Sequence, residues 1–186
     1  RLGLRFLPDD EWHTYWLNPG DSGLPIAMQW ALPLGSQASP IAWPYPQRIE
    51  IGHLVNYGFE GEHLLPIEIT WSNDLVPGED ITLSVDAQWL VCKVECIPGE
   101  ATLSLTLPVT HAPAADRGES RHAALFAWAD QRQPTWASQT GQFKQESRQL
   151  SVQRPLDETL ANLSVDPKNI FIGSINVVDH AKDFFV

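Results

Sequence analysis

The stretch Ile81-Thr82-Leu83-Ser84-Val85-Asp86-Ala87-Gln88-Trp89-Leu90-Val91-Cys92-Lys93-Val94-Glu95-Cys96-Ile97-Pro98-Gly99-Glu100-Ala101-Thr102-Leu103-Ser104-Leu105-Thr106-Leu107 decides the architecture. Its first arm puts Ile81, Leu83, Val85, Ala87, Trp89 and Val91 on one side and Thr82, Ser84, Asp86 and Gln88 on the other, the period-two pattern of a half-buried strand. After Pro98-Gly99 the alternation resumes, with Ala101, Leu103, Leu105 and Leu107 against Thr102, Ser104 and Thr106. Two such arms joined by a short tip predict a β-hairpin. Both cysteines of the chain, Cys92 and Cys96, fall at its loop end, which is exposed and within reach of a partner.

Two cysteines are too few for a disulfide scaffold. A structural zinc site would need both, plus two histidines from elsewhere, and His53, His63 and His111 stand at no ligand spacing from one another. Closing a loop of about five residues would remove only about 2 kcal/mol of unfolded-chain entropy, so a bridge here has little structural return. A short dithiol at an exposed hairpin end is what thiol–disulfide exchange favours. Lys93 would favour a thiolate and Glu95 would oppose it, so these two neighbours are candidate tuners of thiol acidity without deciding which sulfur is the more reactive. A purely structural clip remains open, and so does Cu(I) binding, which two thiolates suit.

Working outward, the first hundred or so residues read as β throughout. Leu2, Leu4 and Phe6 alternate with Arg1, Gly3 and Arg5. Trp12-His13-Thr14-Tyr15-Trp16 is aromatic on both faces and predicts a central strand; Asn18-Pro19-Gly20-Asp21-Ser22-Gly23 is a dense turn signal, and a short strand follows at Ile26 to Trp30. Trp43-Pro44-Tyr45-Pro46 cannot donate fully to a ladder and is an edge or a connection. Leu64 to Trp71 starts another strand, and Pro77-Gly78 turns into the cysteine hairpin. Short strands at roughly ten-residue spacing predict an all-β sandwich. Beyond Val109 the texture changes: Pro113 to Gln133 is Ala-rich, with Ala124, Leu125, Trp128 and Ala129 at helical spacing and Pro134 as a stop. Phe143 to Val152 and Asn169 to Val178 are strand-like, and Leu156 to Leu163 is weakly helical or loop. The expected division is a redox domain over residues 1–110, and over 111–186 a C-terminal extension or second small module containing a short helix.

Composition narrows the function. Among 186 residues Lys+Arg number 12 against Asp+Glu 23, for a net charge of −11, and this scatter of cations among carboxylates argues against nucleic acid and against an anionic membrane surface as partners. No apolar run approaches the ~18 residues of a spanning helix. The chain starts at Arg1 rather than Met, and is expected to be processed or cut from a longer protein. Asn162-Leu163-Ser164 matches a glycosylation sequon that arises often by chance. The eight tryptophans raise a carbohydrate- or protein-binding sandwich with a structural disulfide as an alternative, although Trp30, Trp71 and Trp89 sit in apolar strand contexts where core packing is the default.

Three blocks carry a resemblance: Trp12 to Pro25, Leu54-Val55-Asn56-Tyr57-Gly58-Phe59-Glu60-Gly61-Glu62, and Trp89 to Glu100. In the same order over roughly residues 1–110, they resemble the amino-terminal periplasmic domain of the thiol:disulfide interchange protein DsbD, and look closest to its suppressor-of-copper-sensitivity B (ScsB) relatives. The resemblance implies an immunoglobulin-like domain of a bacterial inner-membrane reductase, facing the periplasm. Its electron donor would be the thioredoxin-like domain of the same membrane protein, and its acceptor a periplasmic thioredoxin-fold protein, with no bound cofactor. It implies that Cys92 and Cys96 are the redox pair and that Cys96 forms the mixed disulfide. It also implies a shielding cap, for which the region from Ile49 to Phe59 is the counterpart, with Tyr57 and Phe59 as cap aromatics. DsbD itself spaces its cysteines more widely than the three intervening residues here, which bears on cap geometry and partner choice.

Overall fold

The computed structural model describes residues 1–111 and 122–134, together with the backbone of two strands at 142–146 and 149–153. The chain divides into two compact units, Arg1–Gln133 and Pro134–Val186. The first is an immunoglobulin-like β-sandwich.

One layer is a six-stranded antiparallel sheet. Its core is the pair β9 (Asp80–Cys92) and β10 (Cys96–Pro108), zipped in unbroken register from Ile81 opposite Leu107 to Cys92 opposite Cys96. The predicted hairpin is therefore present, and β10 runs straight through Pro98-Gly99 because an edge strand tolerates a missing donor. Beyond β9 lie β3 (Ala27–Ala31), which pairs with its middle, Ser84 to Gln88, and β2 (His13–Gly20), which pairs with its last residues. Then come β6 (Leu54–Glu60) and β5 (Gln47–Ile51). The aromatic strand is central, as its two-faced pattern predicts, held between β9 and β6.

The second layer pairs β1 (Leu2–Phe6) with β7 (His63–Ile67), and β4 (Gln37–Ala38) with β8 (Ile69–Thr70). The layers meet where Leu83, Val85 and Ala87 of β9, Thr14 of β2 and Phe59 of β6 are buried with His63, Leu65 and Ile67 of β7. Phe6 and Phe59 both stack on the His63 ring, with centroids at 5.3 and 5.0 Å. His63 Nδ1 donates to the Gly61 carbonyl at 2.8 Å, which leaves Nε2 to accept from the Thr14 hydroxyl at 2.9 Å. Burial pushes its pKa down to about 4, and the Gly61 hydrogen bond opposes the shift. A neutral, doubly bonded imidazole is thus a core residue here.

All of β7 is buried, on both faces, because the helix α1 (Ala123–Gln131) packs against it. The helix the sequence predicts is there, but it belongs to the Arg1–Gln133 unit rather than to a module beginning at residue 111. The composition changes at Val109, whereas an isolated nine-residue helix needs an apolar surface to form against, and β7 supplies one. Arg1 ties to it through an ion pair with Asp130 and by standing over the Phe126 ring at 5.0 Å. In the second unit, β11 (Gln142–Glu146) and β12 (Gln149–Gln153) form a two-stranded hairpin where a strand is predicted over Phe143 to Val152. The expectations for 156–163 and 169–178, and the Asn162 sequon, lie outside the described residues.

Candidate functional site

Cys92 is the last residue of β9 and Cys96 the first of β10, directly opposite each other with Cα atoms 4.2 Å apart and their sulfurs bonded. The tip is tight: the Lys93 amide donates to the Glu95 carbonyl at 3.1 Å. Its two ends are unequal. Cys92 is 1% exposed, shut in where β9 meets β2, while Cys96 stands on the exposed edge strand.

The surroundings are set by register. His13 of β2 lies opposite Cys92 on one side and opposite Glu60 of β6 on the other; Tyr15 lies opposite Gly58. Directly paired residues project from the same face, and so do residues two apart, so Cys92, His13, Glu60, Tyr15 and Gly58 share the outer face of the sheet. Tyr15 reaches furthest: its hydroxyl is 3.7 Å from Cys96 Sγ. Its ring meets that of His13 edge-on at 5.1 Å. Burial raises the Tyr15 pKa and a hydrogen bond with Ser22 opposes it; burial lowers that of His13 and the Glu60 carboxylate opposes it.

An outer face would normally be wet, yet His13 and Tyr15 are buried. The cover is the Asp21–Gly23 segment that follows β2, whose strand runs on through the Asn18–Gly20 part of the predicted turn. Asp21 exchanges hydrogen bonds with Val55 at 2.8 and 2.9 Å, and the amide and hydroxyl of Ser22 both donate to Asn56 Oδ1 at 3.0 Å. These clamp the turn to β6 and bring Gly23, at φ 93°, flat onto the Tyr15 ring, where a Cβ would collide with it.

The residues expected as caps are elsewhere. Phe59 lies opposite Thr14 on the inner face, stacked on His63 and edge-on to Trp128 at 6.5 Å, and the alternation of β6 gives Tyr57 the same side, against Gly20. The Ile49–Phe59 region is a β-hairpin, β5–β6, rather than a loop over the sulfurs, and period two carries both rings to the face away from Cys92. Lys93 pairs with the Glu11 carboxylate, so its ammonium is directed at the 9–12 turn, and Glu95 is exposed in the tip. His13 and Tyr15, which sequence reasoning does not single out, are the groups brought to the disulfide. The signal was the aromatic strand itself, but only pairing with β9 tells which of its faces meets the cysteines.

Among the described residues no group of three or more His, Cys, Asp or Glu side chains is placed to hold a metal ion, and no helix is long and apolar enough to cross a membrane. The arrangement can do dithiol chemistry: an exposed cysteine bonded to a buried one, with a phenol beside the sulfur of the first.

Comparison with known proteins agrees with the fold. A solved structure, the N-terminal periplasmic domain of ScsB from Proteus mirabilis, superposes with a TM-score of 0.58 at 22% identity, covering 81% of this chain and 56% of that one. The likeness is one of fold, and this chain spans little more than half the length of that structure. No curated protein matches. The family model of the N-terminal domain of the thiol:disulfide interchange protein DsbD matches residues 1–108, which contain the whole cysteine hairpin and both layers of the sandwich, and the chain belongs to that family.

Proposed function

We propose that this domain relays electrons in the periplasm by thiol–disulfide exchange through Cys92 and Cys96, as the outward domain of an inner-membrane reductase. The observation that carries the reading is the asymmetry of the pair: an exposed Cys96 bonded to a buried Cys92 at the end of a rigid ladder. A donor thiolate, on a thioredoxin-like domain of the same membrane protein, attacks Cys96 Sγ. The Cys92–Cys96 bond breaks and a mixed disulfide forms. The donor's second thiol then displaces Cys96, leaving both cysteines reduced. In the outward step the Cys96 thiolate attacks the disulfide of a periplasmic thioredoxin-fold acceptor, and Cys92 resolves the mixed disulfide. No bound cofactor takes part. Shielding of the sulfur between encounters, expected of Tyr57 and Phe59, we assign to Tyr15, which touches Cys96.

The test is transfer itself. Reduced protein mixed with an oxidised thioredoxin-fold partner should yield reduced partner and the Cys92–Cys96 disulfide, and Cys92→Ala should accumulate a mixed disulfide through Cys96. Electron transfer by Cys96→Ala at the rate of the intact domain would refute the assignment.

A further inference from the structure

We propose that His13 is the proton acceptor for Cys92, taking the thiol proton at Nε2 as the Cys92 sulfur resolves a mixed disulfide on Cys96. The inference deepens the exchange reading and rests on it for the nature of the attacked disulfide.

Three observations converge on His13. It is directly opposite Cys92 across the β2–β9 ladder, a position that sets Cβ atoms about 4.5–5.5 Å apart on one face, within the span of an imidazole and a thiol. It is 1% exposed. Its Nε2 has no hydrogen-bond partner while the disulfide is formed. An orphaned polar nitrogen in a closed site costs about 1–3 kcal/mol, and fewer than one buried group in ten is left so. The bonded Cys92 sulfur has no proton to offer. Reduction creates an S–H at the residue paired with His13 across the ladder, and a turn of that thiol toward β2 would give the orphan its partner in the state that must next do chemistry.

Cys92 needs such a partner. The thiolate is the nucleophile, and burial opposes its formation where water cannot take the proton. The groups facing His13 are Cys92 from β9, Glu60 from β6 and Tyr15 on its own strand; Lys93, beside Cys92, is engaged by Glu11, and Glu95 lies in the exposed tip. Burial holds the imidazole neutral and able to accept, with Glu60 opposite to stabilise the imidazolium once formed. The step balances. With Cys96 already joined to the partner sulfur, Cys92 gives its proton to His13 Nε2 and its electron pair to Cys96 Sγ. The Cys96–partner bond breaks, the partner sulfur leaves as a thiolate, and the proton passes from His13 to that thiolate or to solvent. The domain is oxidised by two electrons and the partner reduced by two.

The experiment uses a small aromatic disulfide, 5,5′-dithiobis(2-nitrobenzoate), in stopped flow with the reduced chain. Attack by Cys96 releases one coloured thiolate and resolution by Cys92 releases a second. Compared with the parent at neutral pH, H13Q should leave the first release within about twofold and slow the second about a hundredfold, the gap closing as alkaline pH ionises Cys92 unaided. A second release as fast in H13Q as in the parent, with the same pH profile, would overturn the proposal. Should H13Q not fold, the His13 ring resonances of the parent decide: they should move on reduction and titrate together with a cysteine Cβ, and an imidazole blind to reduction overturns the proposal. Neither readout involves a protein partner, so failure of the relay reading would show separately, as absence of transfer to thioredoxin-fold proteins.

Discussion

Cys92 and Cys96 face each other across the last rung of the β9–β10 ladder, yet one is sealed by β2 and the other stands on the edge. The difference comes from the sheet and not from the tip: β9 has a neighbour on both sides at that rung and β10 has one. In the reduced domain, alkylation followed by peptide mapping should therefore modify Cys96 at least about tenfold faster than Cys92, since reactivity follows access and thiolate character. Equal rates would mean that β2 does not protect Cys92 in solution.

The bridge closes so short a loop that it does little for the fold. Chemical denaturation with and without reductant should differ by about 2 kcal/mol or less, because that is the unfolded-chain entropy a loop of about five residues removes. A much larger difference would restore the structural-clip reading.

His63 makes stability depend on pH. Its folded pKa of about 4 lies below the unfolded value of 6.5, so the unfolded chain binds the extra proton first. Its contribution is complete above about pH 6.5 and is lost as pH falls toward 4, amounting to roughly 3 kcal/mol across that window. Denaturant midpoints measured through the window should fall accordingly, and His63→Gln should flatten that part of the profile while lowering stability at neutral pH.

Tyr15→Phe keeps the ring and removes the hydroxyl beside Cys96 Sγ. A phenol donating to the thiolate lowers its pKa, so the variant should raise that of Cys96 by up to about one unit, the worth of roughly one hydrogen bond. Thiolate absorbance against pH reads this directly.

Gly23→Ala combines a positive φ with a clash against the Tyr15 ring, whereas Gly52→Ala meets a positive φ with open space around it. Thermal melts should show the Gly23 variant less stable than the Gly52 variant by about 1–3 kcal/mol, and exchange at Cys96 should change in the first alone.

By itself the sequence determined the all-β class, the hairpin from Ile81 to Leu107, the cysteines at its end and the central place of the Trp12–Trp16 strand, because period-two alternation and turn chemistry are local properties of the chain. It also determined that a helix forms near Ala124–Ala129, though not that the helix closes the far side of β7. The surroundings of the disulfide were decided only in the tertiary structure. Alternation says that Tyr57 and Phe59 share a face, and that His13 and Tyr15 share one, but it cannot say which face lies over Cys92. That depends on two long-range registers, His13 against Cys92 and His13 against Glu60, and moving either by one residue would exchange the faces.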